Sequence, residues 1–421
     1  METTLTITAD QSVESGWLVS PGYSVSLTKR IIIIFKMKLD ASVLRYLERE
    51  DMKILSALEQ GSRNHEVVPL SLVASICRMR PGGVNARIFE LSKHKLVSKE
   101  HQSGYEGFRL TYGGYDYLAL NTLAQRNSVL GVGRQIGVGK EADVYLVRGC
   151  FPEKEGDKDG EQAPEGEHDF VLKIERLGRT SFRTVKTNRD YQGGRKHLSW
   201  WYLSRLAAEK EWNFMQALWQ HGFPTPHPVD WSRHCVVMES IVGKPLEQLH
   251  KEDWPEESSH LIAAHLFNLL MHWLVRLAEE GGLVHGDYNE FNIIVREAYL
   301  DDPEPFLALE QADWTRDNCP VTIIDFPQMV SIHHANAAEF FDRDVSCLRL
   351  FFERRFHYIP CEWPQFEREI NKESTLGLDR LLRASGYKGK SSFSALKDSV
   401  SEEDRRSEDN TENSSEDNSE E

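Results

Sequence analysis

The sequence predicts an α+β protein of two folded units, a small winged helix-turn-helix domain and a larger, two-lobed mixed domain. Three observations lead there. Between residues 43 and 96 three stretches carry helical apolar spacing, and a hairpin pattern follows. Further on, a glycine turn between two strand patterns precedes an apolar strand with one lysine in it. Last, a long apolar helix leads into a His-Gly-Asp loop that runs straight into another strand.

Residues 1–36 are Ser/Thr-rich, lack helical periodicity and read as a disordered extension, with Met37 a candidate start. The Ile31–Phe35 run within them is an added edge strand or an aggregation-prone segment. The first domain spans 37–125. Val43–Leu58 has helical spacing, Ser71–Met79 is a second helix that Pro81-Gly-Gly83 breaks, and Val84–Leu96 is a third. Leu96-Val97 and Phe108–Tyr112, separated by a polar turn, read as a hairpin wing. The third helix and its flanks carry Arg80, Arg87, Lys93, Lys95 and Lys99 against Glu90, a face suited to phosphate contacts or, on the plainer reading, a solvated face of a protein-docking module.

The second domain spans 126–372, with a first lobe over about 126–238 and a second over about 242–372. Ile136–Val147 reads as two strands about a glycine turn, and Phe170–Ile174 as the next strand after a charged insertion, Pro152–His168. Helices are expected at Leu198–Trp219 and Glu256–Glu280, strands at Cys235–Met238, Ile293–Val295 and Val321–Ile324, and a further helix through Phe341–Phe352. A second insertion, Tyr299–Cys319, reads as a charged surface loop. Residues 373–421 form a disordered, acidic, Ser-rich tail.

The net charge of −16 is uneven, because Ser401–Glu421 alone holds ten acidic and two basic residues. The folded part is thus only mildly acidic, and the overall charge does not argue against a nucleic-acid partner. Six scattered cysteines with no CxxC pair exclude a disulfide framework or zinc ligand set and suit a reducing compartment. The five-residue Ile31–Phe35 run is too short for a bilayer and no secretory leader pattern opens the chain, so a soluble intracellular protein is expected.

The chemistry-bearing stretches come in a telling order. Gly137-Val-Gly-Lys-Glu-Ala-Asp-Val-Tyr145 is no Walker A loop, since Glu141 follows Lys140, but it is close to GxGxxGxV with Ala142 in place of the third glycine. Gly137, Val138, Gly139, Lys140, Glu141, Ala142 and Val144 would then let backbone amides approach phosphates. Lys173, in the strand Val171–Ile174, is a point charge for α/β-phosphates, or an edge-strand gatekeeper. A helix carboxylate must hold it, and Glu211 is chosen over its neighbour Glu209 because it begins the apolar-faced stretch Trp212–Leu218. In His285-Gly-Asp287-Tyr-Asn-Glu-Phe-Asn292, Asp287 and Asn292 have the spacing of a catalytic aspartate and a metal-binding asparagine, with His285 a packing and hydrogen-bonding support. Asp325, ending the strand Val321–Ile324, supplies the second metal contact. Adenine should sit at Met238-Glu-Ser-Ile241, meeting backbone groups of Glu239 and Ile241.

These residues resemble the RIO family of atypical protein kinases, and specifically its winged-helix (Rio-two) subfamily. The motifs that carry the likeness are Gly139–Tyr145, His285–Asn292 and Ile324–Val330, with Met37–Asp40 similar to that subfamily's start. The resemblance covers about residue 37 to 370. It implies a two-lobed protein-kinase-like (RIO) domain and a Ser/Thr kinase or ATPase using ATP and Mg2+, with Asp287 and Lys173 catalytic, Asn292 and Asp325 on the metal, and Asp325 also a candidate phospho-acceptor. It further implies a role late in small ribosomal subunit maturation, on the pre-ribosomal particle. The winged helix and the basic segment 176–197, with seven Lys/Arg and one acid, would make the contacts. A monomer when free, cytoplasmic with nuclear shuttling, is expected. Two other classes share the HGDxxxxN pattern or the ATP site: a small-alcohol phosphotransferase of the aminoglycoside or choline type, and a non-catalytic ATP-binding scaffold.

Overall fold

Pro81 opens the third helix instead of closing the second. A proline fits the first turn of a helix, where its missing N–H has no intrahelical partner, and here it stands at the start of α3 (Pro81–Lys93), after α1 (Arg49–Gly61) and α2 (Leu70–Cys77). The stop between α2 and α3 is Arg78, which takes the left-handed conformation at φ 56°. The computed structural model describes residues 39, 46–102, 105–152, 166–177, 200–308, 314–371 and 376–386. The expectations for 1–36, for most of the insertion 152–168, for most of the basic segment 176–197 and for the part of the 373–421 tail beyond 386 lie outside them.

The wing follows as antiparallel strands β1 (Val97–Gln102) and β2 (Tyr105–Leu110) in register Val97 to Leu110. Ile54, Leu55 and Leu58 of α1 meet Val84, Ile88 and Leu91 of α3 and Phe108 and Leu110 of the wing in one apolar core. A fourth helix, α4 (Tyr112–Gln125), is capped by Thr111, whose hydroxyl accepts the Gly114 amide. Two glycines in its first turn and burial on nearly every side hid it from periodicity. Gly114 is required there, since a Cβ would come within 2.4 Å of the Leu96 carbonyl oxygen.

The larger domain begins with an antiparallel five-stranded sheet in the order β3 (Gly131–Val138), β4 (Ala142–Gly149), β5 (His168–Glu175), β7 (Cys235–Glu239), β6 (Pro228–Ser232). Helix α5 (Trp200–Gln220) packs on β5, β6 and β7 and carries both candidate glutamates. The second lobe is built on α6 (Ser259–Glu279), an apolar helix long enough to cross a membrane by length and composition but buried here as the core helix, with Phe267, Trp273 and Leu274 inside. Around it run β8 (Gly243–Pro245), the short β9 (Leu283–Val284), β10 (Ile293–Arg296), β11 (Val321–Ile323) and β12 (Val330–Ser331). β10 pairs with both β8 and β11, β9 pairs with β12, and α7 (Ala337–Phe356) packs on α6.

Two further expectations are corrected. The disordered tail does not begin at 373, because Leu378–Leu381 is helical, Leu378 and Ala384 are buried, and the buried Asp379 accepts the Ser331 hydroxyl at 2.7 Å. The insertion 299–319 is not simply a surface loop, because Tyr299, Trp314 and Cys319 are all buried in the second lobe's core and 297–301 and 304–307 are helical. Its many charges masked three apolar anchors.

Candidate functional site

β3 and β4 turn over residues 139–141, and the Gly139 amide closes the turn on the Ala142 carbonyl at 2.8 Å. Gly137 pairs with Val144 and Val138 with Asp143, and Val138 stands exposed at the rim. Two register shifts along β3 bend the strand over the sheet. At the third-glycine position, Ala142 is already in the ladder, opposite Glu175 of β5.

Lys173 lies on β5 between Val144 of β4 and Val236 of β7, so it is central and not an edge gatekeeper. Its ammonium meets three carboxylates: Asp325 Oδ1 at 2.7 Å, Glu211 Oε1 at 3.1 Å and Glu175 Oε1 at 3.3 Å. Burial pulls the lysine pKa down, but Asp325, Glu211 and Glu175 outweigh it and hold Lys173 firmly protonated. Glu211, buried on α5, accepts the Phe326 amide on its other oxygen at 2.8 Å. Burial raises its pKa and Asp325 adds to the rise, against the pull of Lys173 and the Phe326 amide. Glu209 is only half-buried and has no ion pair with Lys173. Glu175 was not expected. Strand alternation puts it on the face of Lys173, two residues along.

The loop after β9 is held from below. Gly286 has φ +77°, its amide donates to Asp344 Oδ2 of α7 at 2.8 Å, and its carbonyl accepts from Arg343. Next to it the half-buried Asp287 accepts from Asn289 on Oδ1 at 2.9 Å and from Asn292 and Gln328 on Oδ2 at 3.2 and 3.1 Å. Since the Asn292 Nδ2 group faces Asp287, its Oδ1 points the other way. The Ile324 amide bonds the Asn292 carbonyl at 3.0 Å, so Asn292 and Asp325 stand at adjoining ends of the β10–β11 pair. Asp325 takes φ +72°, unusual for a residue with a Cβ and suited to a functional turn.

His285 is fully buried, edge-on to Tyr288 and Phe326, and burial pushes its pKa down to about 4, so the ring is neutral. Packing is seen as expected, but neither ring nitrogen has a hydrogen-bond partner of good geometry. Asp344, pushed up to about 7 by burial, anchors the loop instead.

At the end of β7 Met238 is buried and pairs with Val171, while Glu239 and, just beyond the strand, Ile241 are half-buried. The Glu239 amide donates to the His227 carbonyl at 2.9 Å, and its carboxylate accepts the His227 amide at 3.0 Å. An adenine there would meet the Glu239 carbonyl and Ile241 amide, not the Glu239 amide.

Among the described residues no three His, Cys, Asp or Glu side chains gather as a metal cage. Asn292 Oδ1 and the part-exposed Asp325 carboxylate are hard oxygen donors in a site rich in carboxylates, which fits Mg2+ held by one or two side chains with phosphate oxygens completing its shell.

Comparison with known proteins identifies the family. A "Rio2, N-terminal" family model matches residues 44–126, and a RIO domain model matches 151–301 and 314–364. The chain is 46% identical to serine/threonine-protein kinase rio2 of Schizosaccharomyces pombe over 85% of its length and 90% of the relative's. It is 44% identical to that of Dictyostelium discoideum over 83% of its own length and 58% of the longer relative's. The crystal structure of the Chaetomium thermophilum Rio2 kinase in an ADP/Mg2+-phosphoaspartate complex superimposes with a TM-score of 0.64, at 42% identity, over 84% of this chain and 95% of that one. With a winged-helix domain leading into a RIO domain, matched along most of its length, the chain belongs to the Rio2 branch of the RIO family of atypical serine/threonine-protein kinases.

Proposed function

We propose that this protein uses ATP and Mg2+ to work as an ATPase and Ser/Thr kinase late in maturation of the small ribosomal subunit. It binds the pre-ribosomal particle and couples ATP turnover to release. The observation that carries the chemistry is the Lys173–Glu211–Asp325 cluster facing a triply held Asp287. The ADP and Mg2+ bound by the Chaetomium thermophilum relative support the same ligands here.

Lys173 steadies the α/β-phosphates, the backbone of 137–142 lies over them, and Glu211 fixes Lys173 and Phe326 at once. Mg2+ held by Asn292 and Asp325 would neutralise charge on the β/γ oxygens. Asp287 orients the nucleophile and takes its proton when that is water or a hydroxyl. Asp325 is the candidate phospho-acceptor: its carboxylate oxygen bonds the γ-phosphorus as the bond to ADP breaks, and water later hydrolyses the acyl phosphate.

Turnover is favoured over peptide phosphorylation by the short path after Asp325. Only residues 326–336 separate it from α7, leaving little chain for a peptide-docking segment. The winged helix and basic segment would meet the particle's RNA and assembly factors, with the free protein a monomer that shuttles between cytoplasm and nucleus.

The test is gradient sedimentation of tagged wild-type and Asp287→Ala protein in cell extract. Co-migration with small-subunit precursors, and accumulation of the variant there, is expected. Both forms staying at the top as free protein would overturn the ribosomal reading, and normal release of Asp287→Ala would reduce the protein to an ATP-bound scaffold.

A further inference from the structure

Arg176 opens the basic segment 176–197, where the sequence suggests a residue exposed for contact with a partner. It is instead one of the largest fully buried side chains in the protein. Its guanidinium makes a bidentate pair with Asp116 of α4 at 2.6 and 2.7 Å, and its Nε reaches Asp143 of β4 at 3.3 Å. Its backbone amide donates to the Glu141 carbonyl, at the tip of the glycine turn. The next residue, Leu177, donates its amide to Ser204 on α5, the helix of Glu211. On the far side, His234 meets Asp116 at 2.8 Å, and its carbonyl accepts the Glu175 amide.

One residue therefore touches the winged-helix domain, the glycine turn and, through short covalent or hydrogen-bonded steps, Lys173, Glu175 and α5. A buried ion cluster is a poor choice for stability alone, because well-packed apolar groups of the same volume often serve as well or better. What a bidentate pair adds is orientation, since two parallel bonds fix the guanidinium plane. Here the plane is fixed by a carboxylate from another domain, and the groups it aims are Asp143 and the Glu141 carbonyl.

We propose that Asp116 of the winged-helix domain is a positioning residue of the nucleotide site, setting the glycine turn through Arg176 and Asp143. This inference rests on the ATP site proposed above. A partner that pulls α4 from the first lobe would loosen the turn and weaken nucleotide binding, and by linkage bound nucleotide would oppose that partner.

The control is a second buried contact between the same two domains. Glu59 of α1 receives Arg233 at 2.8 Å, and Arg233 also donates to the Leu118 carbonyl and the Thr122 hydroxyl of α4 and to Ser232. Asp116→Asn and Glu59→Gln are compared in full-length protein by titration with a fluorescent ATP analogue, steady-state ATPase, thermal melting and amide hydrogen exchange. Asp116→Asn should weaken nucleotide binding at least about fivefold, the effect of losing one charge-assisted bond, with kcat within about twofold. Exchange should rise in 137–145. Glu59→Gln should lower the melting temperature while leaving affinity and that exchange unchanged. Equal loss of affinity in both variants, or none in Asp116→Asn, would overturn the proposal. If Asp116→Asn does not fold, Asp143→Asn reads the link from the turn's side, and unchanged affinity there overturns it equally. A wild-type protein that binds no nucleotide would instead remove the ATP site itself.

Discussion

Lys173 and Asp325 touch, with 2.7 Å between ammonium and carboxylate. The residue expected on the phosphates and the one expected on the metal thus neutralise each other, and Glu211 and Glu175 complete the ring. Lys173→Met leaves three carboxylates facing one another without a cation. Their folded-state pKa values then rise above the unfolded ones, so stability is present at low pH and lost as pH rises. The variant should lose about 3 kcal/mol at pH 8, the scale for breaking a buried pair, and much less at pH 5.5. Denaturant melts at the two pH values decide it, and an equal loss at both would mean the carboxylates are not held together by Lys173.

Glu211 and Glu209 separate cleanly. Glu211 bridges Lys173 and the Phe326 amide, so Glu211→Gln keeps the amide bond but leaves the lysine to Asp325 and Glu175 alone. ATP turnover should fall at least about tenfold, because Lys173 is no longer aimed. Glu209→Gln, one turn-edge away and half-buried, should stay within about threefold of wild type. Reversed outcomes would make Glu209 the partner in the working state.

Asp287 accepts bonds from Asn289, Asn292 and Gln328, whereas the phosphate residue Lys173 pairs with Asp325, Glu211 and Glu175. Asp287→Ala should therefore cut turnover at least about 100-fold, as loss of a base and its alignment does, while nucleotide affinity holds. A loss under about threefold would remove Asp287 from the mechanism.

The parts of the site readable in the sequence were those with fixed spacing along the chain. Asp287 and Asn292 lie five apart in one loop, and Asp325 closes a strand of three buried residues, so short motifs carry them. Glu175 carries no motif, yet the alternation of Val-Leu-Lys-Ile-Glu puts it beside Lys173, a signal present but unused. Asp344 and Gln328 act across 58 and 41 residues of chain, a relation that only folding creates. Arg176 was the least legible, because a charge beside a basic run looks solvated until two acids and a histidine from distant segments surround it.

His285 sets a pH signature. Burial holds its folded pKa at about 4, below the ordinary 6.5, so its contribution to stability is complete above 6.5 and is lost as pH falls through 4. The difference amounts to about 3 kcal/mol over that window. His285→Phe, which keeps an aromatic ring beside Tyr288 and Phe326, should show a correspondingly shallower fall in stability between pH 6.5 and 4. A slope identical to wild type would mean that the folded-state pKa of His285 is not displaced from its ordinary value.

The third helix offers fewer free cations than its sequence suggests. Arg87 is gripped by Glu48, Glu50 and Asp51 of the α1 region, Lys93 pairs with Glu90, and Lys99 with Glu106 on the wing. An arginine already neutralised by three carboxylates releases no phosphate counterions when RNA arrives, whereas Arg80 and Lys95 at the ends of α3 have no ion pair among the described residues. If the winged helix contacts rRNA by its charge, Arg80→Ala and Lys95→Ala should each flatten the dependence of log affinity on log salt by about 0.7 to 0.9. Arg87→Ala should leave that slope alone and instead cost about 1 kcal/mol of stability or less, as part-exposed pairs do. Filter binding of a ribosomal RNA fragment across a salt series reads all three. A slope that responds to Arg87 but not to Arg80 or Lys95 would mean α1 releases the arginine on binding. Slopes unchanged in every variant would leave the exposed Phe89 face of α3 to protein, not RNA.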